Sequence, residues 1–305
     1  MTLTDSRPTR ARKRRSVVSG AAPARATAHA GGSGRTFAVV STVILVGFAI
    51  IWLIPSLFAI KTSLTPNGTA ALGAQEILSS WSPTLDSYLG LMRQGDIWNW
   101  YLASAVTSVV TAVLTLLFAS MAAFALSRLE FRGRAIIYMA IIIGLMIPSQ
   151  VLIVPIFEEL RILQLLNTYW AVILPQVPSV IAVFIFKQFF DAIPRELEEA
   201  ARVDGAGSWR IYWSVVMPLS RPVVAAVAIL TFVWTWNNLL LPLFVMSNPS
   251  LMTIPVGLAT VQGSFGLRYA DIQAGAILAA LPLVVLYMFF QRQIVEGVTG
   301  SGLKG

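Results

Sequence analysis

Six long apolar runs dominate this chain of 305 residues. A helix needs about 20 mostly apolar residues to cross the hydrocarbon core of a bilayer. Backbone amides in a bilayer must bond to one another, and the short alternating segments of a β-barrel do not occur in the sequence. The pattern predicts an all-α, polytopic membrane protein with six transmembrane helices. The runs occupy residues 37–60, 101–127, 135–157, 168–190, 219–246 and 271–291.

The composition excludes several kinds of active site. The chain is 56% hydrophobic and only 12% charged, whereas soluble domains are about a quarter charged. It contains no cysteine, and its single histidine, His29, lies in a polar N-terminal tail. Thiolate nucleophiles, histidine-based zinc sites and Ser-His-Asp chemistry are therefore excluded. The phosphate-binding pattern G-x-x-x-x-G-K-[ST] is also missing, so we do not expect the chain to hydrolyse ATP alone.

The apolar runs carry no Asp, Glu, Lys or Arg near their centres. Carriers driven by protons or sodium usually place ionisable groups near the membrane midplane. This pattern argues against such a carrier, although one that uses backbone carbonyls stays possible.

The positions of Lys and Arg predict the orientation. If both termini lie in the cytoplasm, 18 of the 22 basic residues fall on the cytoplasmic side. Only Lys61, Arg93, Arg161 and Arg268 then lie outside. Because cytoplasmic loops are enriched in basic residues, this arrangement is the expected one.

Residues 1–36 form a basic tail that is predicted to be disordered, since it has few large apolar side chains. Two interpretations of its charge stay open. Attraction to anionic lipid, with an effect on topology, is one. Nucleic-acid binding is the other, but no aromatic residue lies among the arginines, so we expect no nucleic-acid partner.

Prolines inside the runs predict kinks, because each removes a helical hydrogen bond. They could serve as hinges of a gate or simply shape the helix bundle. These residues are Pro55, Pro148, Pro155, Pro175, Pro178, Pro242 and Pro282.

A polar loop, residues 191–218, separates the fourth and fifth runs. Pro194 suits the first position of a helix, and Glu198 and Arg202 have the spacing of a favourable ion pair on one helix face. Gly205 suits the left-handed end of that helix, and Ser208 suits the cap of a second short helix. The loop is therefore predicted to contain a short cytoplasmic helix followed by a second.

The first of these helices has a narrow face. Ala200 and Ala201 add little bulk, and Glu199 supplies a carboxylate at their edge. Such a face fits a groove on another protein, whereas an ordinary surface helix is the alternative.

The fifth run contains a polar aromatic stretch that is unusual within a membrane span. Amides in lipid need partners, so these side chains should face other helices or a water-filled path. Recognition of a sugar and purely structural hydrogen bonding are both open interpretations. The residues are Trp234, Trp236, Asn237 and Asn238.

The polar loop resembles the EAA motif of permease subunits of binding-protein-dependent ABC importers, in the carbohydrate (maltose-type) family. That motif is Glu-Ala-Ala, three residues, Gly, nine residues, Ile, one residue, Leu-Pro. Two conservative exchanges occur, Val for Ile and Met for Leu, and Asp204 and Ala206 around the glycine also match. The matching residues are Glu199, Ala200, Ala201, Gly205, Val215, Met217 and Pro218.

The resemblance covers residues 37–305. Residues 236–243 are similar to the family's Trp-Asn-x-Phe-Leu-x-Pro-Leu, with Leu239 where Phe is more usual. Residues 253–258 and 298–305 are also typical of the maltose-type branch. The basic tail is not part of the pattern.

The resemblance implies the fold of an ABC type I importer permease, residues 37–305, with residues 191–218 as its cytoplasmic coupling loop. It implies a bacterial-type inner membrane, a second homologous permease, two ATPase subunits and an extracytoplasmic solute-binding protein facing residues 247–270. The chain would bind no cofactor, since ATP and Mg are used by the ATPases. It would be a transport subunit, not an enzyme. The implied coupling residues are Glu199, Ala200, Ala201, Asp204, Gly205 and Pro218.

The implied function is import of a sugar. The main alternative is an importer of the same superfamily for a non-sugar solute, such as a glycerol phosphate ester. A basic lining would favour that alternative, and the runs show none. A membrane enzyme or a stand-alone channel is the third possibility, and a channel would leave the polar loop unexplained.

Overall fold

The computed structural model of the chain describes residues 33–80, 82–93, 96–265 and 268–299. The tail that is predicted to be disordered lies outside these ranges up to residue 32, and residues 33–36 begin the first helix. The end of the C-terminal stretch 298–305 also lies outside the described residues.

Helices account for the secondary structure of the described ranges, which contain no β-strand. Two short 3-10 helices, Ser149–Leu152 and Pro249–Leu251, and a π-helical turn, Tyr212–Val216, accompany the α-helices. The α-helices are α1 (Ser33–Ser63), α2 (Asn67–Ala70), α3 (Ala74–Ser79), α4 (Asp86–Arg93), α5 (Ile97–Arg128), α6 (Arg134–Gly144), α7 (Ile153–Ile162), α8 (Tyr169–Gln176), α9 (Val180–Asp191), α10 (Glu196–Val203), α11 (Ser208–Ile211), α12 (Met217–Leu219), α13 (Arg221–Trp236), α14 (Leu240–Val245), α15 (Ile254–Phe265) and α16 (Tyr269–Thr299).

Three helices of the described residues are long and apolar enough to cross a membrane unbroken, namely Phe37–Ser63, Ile97–Arg128 and Tyr269–Gln291. Three further candidates are pairs of helical pieces joined at a bend. If each pair counts as one span, the described residues hold up to six spans. The pairs are Arg134–Gly144 with Ser149–Ile162 (95°), Tyr169–Gln176 with Val180–Asp191 (43°) and Ser208–Leu219 with Arg221–Trp236 (79°).

Prolines lie at these bends. Pro148 precedes the 3-10 turn after α6, Pro178 lies between α8 and α9, and Pro222 lies in the first turn of α13. Each lacks the N–H that would continue the preceding helix. A role of the bends as hinges stays a prediction.

The fifth apolar run is helical in two pieces. α13 ends at Trp236 and α14 begins at Leu240. Pro242 gives the reason, because it has no N–H to offer the carbonyl of Asn238 and its ring would collide with that carbonyl in a continuous helix.

The described residues separate into two units, one that ends at Ile54 and one that begins at Pro55. In the first unit, α1 exposes large apolar side chains. Trp52 is 68% exposed, and its ring lies 6.0 Å from that of Phe48. Residues 37–54 of α1 include no buried residue, and an exposed apolar surface of this kind is one that lipid or another protein covers.

In the second unit, α5 is the central helix and packs against α8, α9, α13 and α15. Its buried face repeats small or hydroxyl-bearing residues every fourth position, which lets neighbouring helices approach closely. The Thr107 hydroxyl donates to the carbonyl of Ala103 at 2.7 Å, whereas the buried Thr111 hydroxyl has no hydrogen-bond partner among the described residues. The repeat is Ala103, Thr107, Thr111, Thr115, Ala119 and Ala123.

The largest buried cluster lies beneath the polar loop. Phe186 and Phe190 of α9 are fully buried, as are Tyr212 and Val216 of the loop. The Tyr212 hydroxyl lies 2.8 Å from the Ser120 hydroxyl of α5, and its ring meets the edge of Phe124 at 5.3 Å between centroids. The far end of the polar loop is thus part of the core.

Candidate functional site: the polar loop

The first helix of the polar loop, α10, begins at Glu196. Glutamates at 196, 198 and 199 lie in its first turn, where the helix dipole favours negative charge. The backbone amides of Glu198 and Glu199 both donate to the carbonyl of Arg195, at 3.0 and 2.9 Å. Pro194 therefore lies outside the helix, two residues before its start.

The end of α10 is fixed by Gly205. Its φ is +80°, which confirms the expected left-handed conformation. The amide of Ala206 donates to Ala201 O at 2.9 Å, and the amide of Gly205 donates to Arg202 O at 3.0 Å. This pair of bonds is the Schellman motif, which satisfies the last helical carbonyls and turns the chain sharply.

The second helical segment differs from the sequence prediction at its start. Ser208 is the first helical residue, so the expectation that it caps α11 is wrong; Gly207 takes the cap position without a side chain. After α11 the chain forms the π-helical turn Tyr212–Val216 and then α12. Pro218 lies in α12 and offers no N–H to Ser214, which removes one regular α-helical bond at this turn.

Five of the six predicted coupling residues are exposed, and Ala201 is half-buried. Glu199, Ala200 and Ala201 lie along α10, with Asp204 and Gly205 at its end. Pro218 lies apart from them, beyond the π-helical turn. The exposed surface around Glu199 and Ala200 also includes Val203, whose side chain is 88% exposed.

Glu198 behaves differently from its neighbours. It is the one buried residue of α10, with 5% exposure. Its carboxylate does not pair with Arg202 among the described ion pairs; instead it accepts from Nε of Arg128 at 2.5 Å. The sequence prediction of a Glu198–Arg202 pair is therefore wrong, because the Glu198 side chain is buried and its carboxylate bonds to Arg128 of α5.

Arg128 is the last residue of α5, where the helix dipole favours a cation. Its Nη2 donates to the carbonyls of Phe190 at 2.6 Å and Ile193 at 2.9 Å. Sequence reasoning missed this residue as a functional candidate. The available signal was an arginine at the end of a long apolar helix, although its partner is not identifiable from local spacing.

A second group of charges lies beside this pair. Asp191, the last residue of α9, accepts from the Ser127 hydroxyl at 2.5 Å and from Lys187 Nζ at 2.6 Å. Lys187 Nζ also lies 4.6 Å from the ring centre of Tyr138. The ends of α5 and α9 are thereby joined through polar contacts next to the polar loop.

The fifth-run residues do not come together in one place. Trp234 is 65% exposed, whereas Trp236 is buried and its indole N–H donates to Ala279 O at 3.1 Å. Asn237 is exposed and its Nδ2 donates to Val233 O at 2.8 Å. Asn238 donates through Nδ2 to Oε1 of Gln176 at 2.9 Å. A solute path along these residues stays a prediction.

Comparisons with known proteins agree with this architecture. Residues 115–299 match the protein family described as binding-protein-dependent transport system inner membrane component. The arabinooligosaccharides transport system permease protein AraQ of Halalkalibacterium halodurans is 38% identical over 276 residues, which is 89% of this chain and 99% of AraQ. The trehalose transport system permease protein SugB of Mycobacterium tuberculosis is 34% identical over 275 residues, 88% of this chain and 98% of SugB.

A solved structure has the same fold. It is the crystal structure of a bacterial ABC transporter involved in the import of the acidic polysaccharide alginate, and the matched chain is 22% identical with a TM-score of 0.75. The match covers 86% of this chain and 98% of that chain. The predicted fold class, an all-α polytopic permease, is confirmed. The family match and the similarity to AraQ show that this chain belongs to the family of inner membrane components of binding-protein-dependent transport systems.

Proposed function

We propose that this chain and a second homologous permease form the path for a sugar that an extracytoplasmic binding protein delivers. In this proposal two ATPase subunits bind the cytoplasmic side of the complex and use ATP and Mg, and the polar loop of this chain contacts an ATPase subunit. The family itself establishes the coarser part, since its members are multi-pass membrane components of ABC importers and not enzymes. The proposed location is the inner membrane, with both termini in the cytoplasm.

The observation that carries the proposal is the division of α10 into two sides. Glu198 is buried and anchored, whereas Glu199, Ala200 and Val203 face outward with no described ion pair. An exposed valine beside small residues and a carboxylate favours docking into a groove that has an apolar floor and a basic rim. The excess of basic residues predicts that this surface is cytoplasmic, where ATP is available.

The sugar assignment is supported by the relatives, which are named as permeases for arabinooligosaccharides and trehalose. The alternative, a glycerol phosphate ester or similar anionic solute, requires cationic groups along the path. The ligand carried by the binding protein that co-purifies with this chain separates the two. If that ligand is a neutral sugar, the sugar assignment is supported. If it is a phosphate ester, the anionic-solute alternative replaces the sugar assignment.

The proposed mechanism follows from the anchoring of the polar loop. ATP binding closes the two ATPases and displaces α10, and the spans then rock between inward and outward openings. Glu199 contacts a basic residue of the ATPase, Ala200 and Ala201 fill its groove, and Gly205 permits the turn. Asp204, at the end of α10, and Pro218, in α12, are the remaining proposed coupling residues.

The test is Glu199→Ala in the complex reconstituted with its ATPase and binding protein. We expect ATPase binding to weaken about tenfold or more, because a hydrogen bond to a charged group is worth about 1.5–3 kcal/mol. Solute-stimulated ATP hydrolysis and uptake should fall with it. Glu196→Ala is the matched control, an exposed glutamate one turn earlier on the same helix. If assembly, uptake and stimulated ATP hydrolysis are unchanged in Glu199→Ala, Glu199 is not a contact of the ATPase.

A further inference from the structure

We propose that Arg128 and Glu198 are positioning residues that couple α10 to α5, so that displacement of α10 by the ATPase moves the central helix. The inference rests on the proposed function, since it assumes that an ATPase displaces α10. It concerns a contact within this chain and not the docking surface itself.

Glu198 is the most deeply buried point at which α10 contacts the helix bundle. Glu198 is the buried residue of this helix, while Leu197 and Val203 are exposed. The Glu198 side chain is 7% exposed and the Arg128 side chain is 4% exposed. A force on the outward side of α10 can reach the bundle through this carboxylate, in addition to the packing of Ala201 against the core and the chain connection to the buried Tyr212.

Arg128 distributes that force. Its guanidinium bonds to Glu198 of α10, to Phe190 O in α9 and to Ile193 O in the turn after α9. The planar guanidinium fixes the direction of each bond, which a lysine ammonium would not do. The three contacts hold the ends of α5, α9 and α10 in one geometry.

The helix that receives the force is the one best placed to transmit it. α5 begins at Ile97 and ends at Arg128, and it packs against α8, α9, α13 and α15. A rigid helix attached at its last residue moves as a unit along its length. The pair thus connects the cytoplasmic docking surface with the helices that line the bundle.

An ion pair also has a plain structural interpretation, in which it only stabilises the fold. The two interpretations differ in the number of solute molecules moved per ATP hydrolysed. A structural role changes how much complex assembles and leaves that ratio unchanged for the complexes that do assemble. A coupling role lowers the ratio within intact complexes.

The deciding variant is the double change Arg128→Met/Glu198→Leu. It replaces the pair with apolar side chains of similar volume and leaves no charge unpaired, and such replacements usually preserve the fold. In liposomes with the ATPase and the loaded binding protein, we expect assembly to persist. The ratio of solute to ATP should fall about fivefold or more, the lower end of couplings between protein sites.

Three further variants identify the cause of a lowered ratio. Glu198→Asp keeps the negative charge on a shorter side chain. Its ratio of solute to ATP should lie between those of the double variant and the wild type. Arg132→Gln and Glu196→Gln remove exposed charges from the same segments and serve as controls with the wild-type ratio. A wild-type ratio in the double variant, or its failure to assemble, would overturn the proposal.

The outcome separates this proposal from the function on which it rests. If Glu199→Ala weakens ATPase binding while the double variant retains the wild-type ratio, the docking surface stands and the coupling pair does not. If Glu199→Ala has no effect on assembly or transport, the docking assignment fails first.

Discussion

The polar loop and the stretch 234–238 both divide their side chains between the interior and the surface, but they differ in what they expose. The polar loop exposes the Glu199 carboxylate with no described ion pair, whereas the exposed Asn237 amide already donates to Val233 O. In the polar loop, two adjacent glutamates differ in their environment: Glu198 is buried and bonds to Arg128, whereas Glu199 is exposed. In the stretch 234–238, the Trp236 indole and the Asn238 amide donate to other parts of the bundle. The lesson is that a polar residue is available to a partner only to the extent that its own fold leaves hydrogen-bonding capacity unused.

The largest effect that would sharpen this comparison is expected at Arg128. Arg128→Ala leaves Glu198 buried without its cation, and breaking one side of a buried pair costs about 3–5 kcal/mol. The free energy of unfolding in detergent measures the effect. Arg132→Ala, an exposed arginine in the following turn, should change it by about 0.5 kcal/mol or less. Equal effects of the two changes would contradict an anchored Glu198.

A smaller effect is expected at Asn238. Asn238→Leu removes the donor to Gln176, and interhelical hydrogen bonds within membranes are worth about 0.6–1.7 kcal/mol. Asn237→Leu is the matched control, because the Asn237 amide is exposed and bonds only within its own helix among the described contacts. If transport changes in Asn237→Leu while its stability does not, this residue lines the solute path. If neither property changes, the Asn237 side chain is dispensable and does not line the solute path.

The smallest effect is expected at Trp236. Trp236→Phe keeps an aromatic ring and loses the N–H that donates to Ala279 O, at a cost of about 0.5–1 kcal/mol. The same unfolding measurement gives the value. A loss of solute affinity without this loss of stability would show that the indole faces a ligand, and the contrast between the two regions would then break down.

Local physical chemistry predicted some parts of the fold and the site. The left-handed Gly205 follows from the sequence, because a glycine after a short charged helix ends it in a known way. The division of the fifth run also has a local cause, since Pro242 prevents a helical bond to Asn238. Hydropathy alone merged the two pieces because both are apolar.

The anchoring of Glu198 could not be obtained in this manner. Arg128 and Glu198 are separated by 70 positions, whereas the rule that suggested Arg202 considers only neighbours on one helix. Whether the Glu198 carboxylate pairs with Arg128 or with Arg202 depends on the burial of Glu198. That burial depends on how α5, α9 and α10 pack. The burial of individual side chains in the fifth run was also unpredictable. Hydropathy does not reveal that Trp234 is exposed and Trp236 is buried.

The space around the Cα of Gly205 is open. A methyl group added at its Cα would meet no atom within 4 Å apart from its chain neighbours, so this chain disfavours alanine there only through backbone conformation. That restriction amounts to about 1–2 kcal/mol for an L-residue. Any sensitivity beyond it would be imposed from outside the permease, and position 205 would then report how closely a neighbouring subunit lies against the turn.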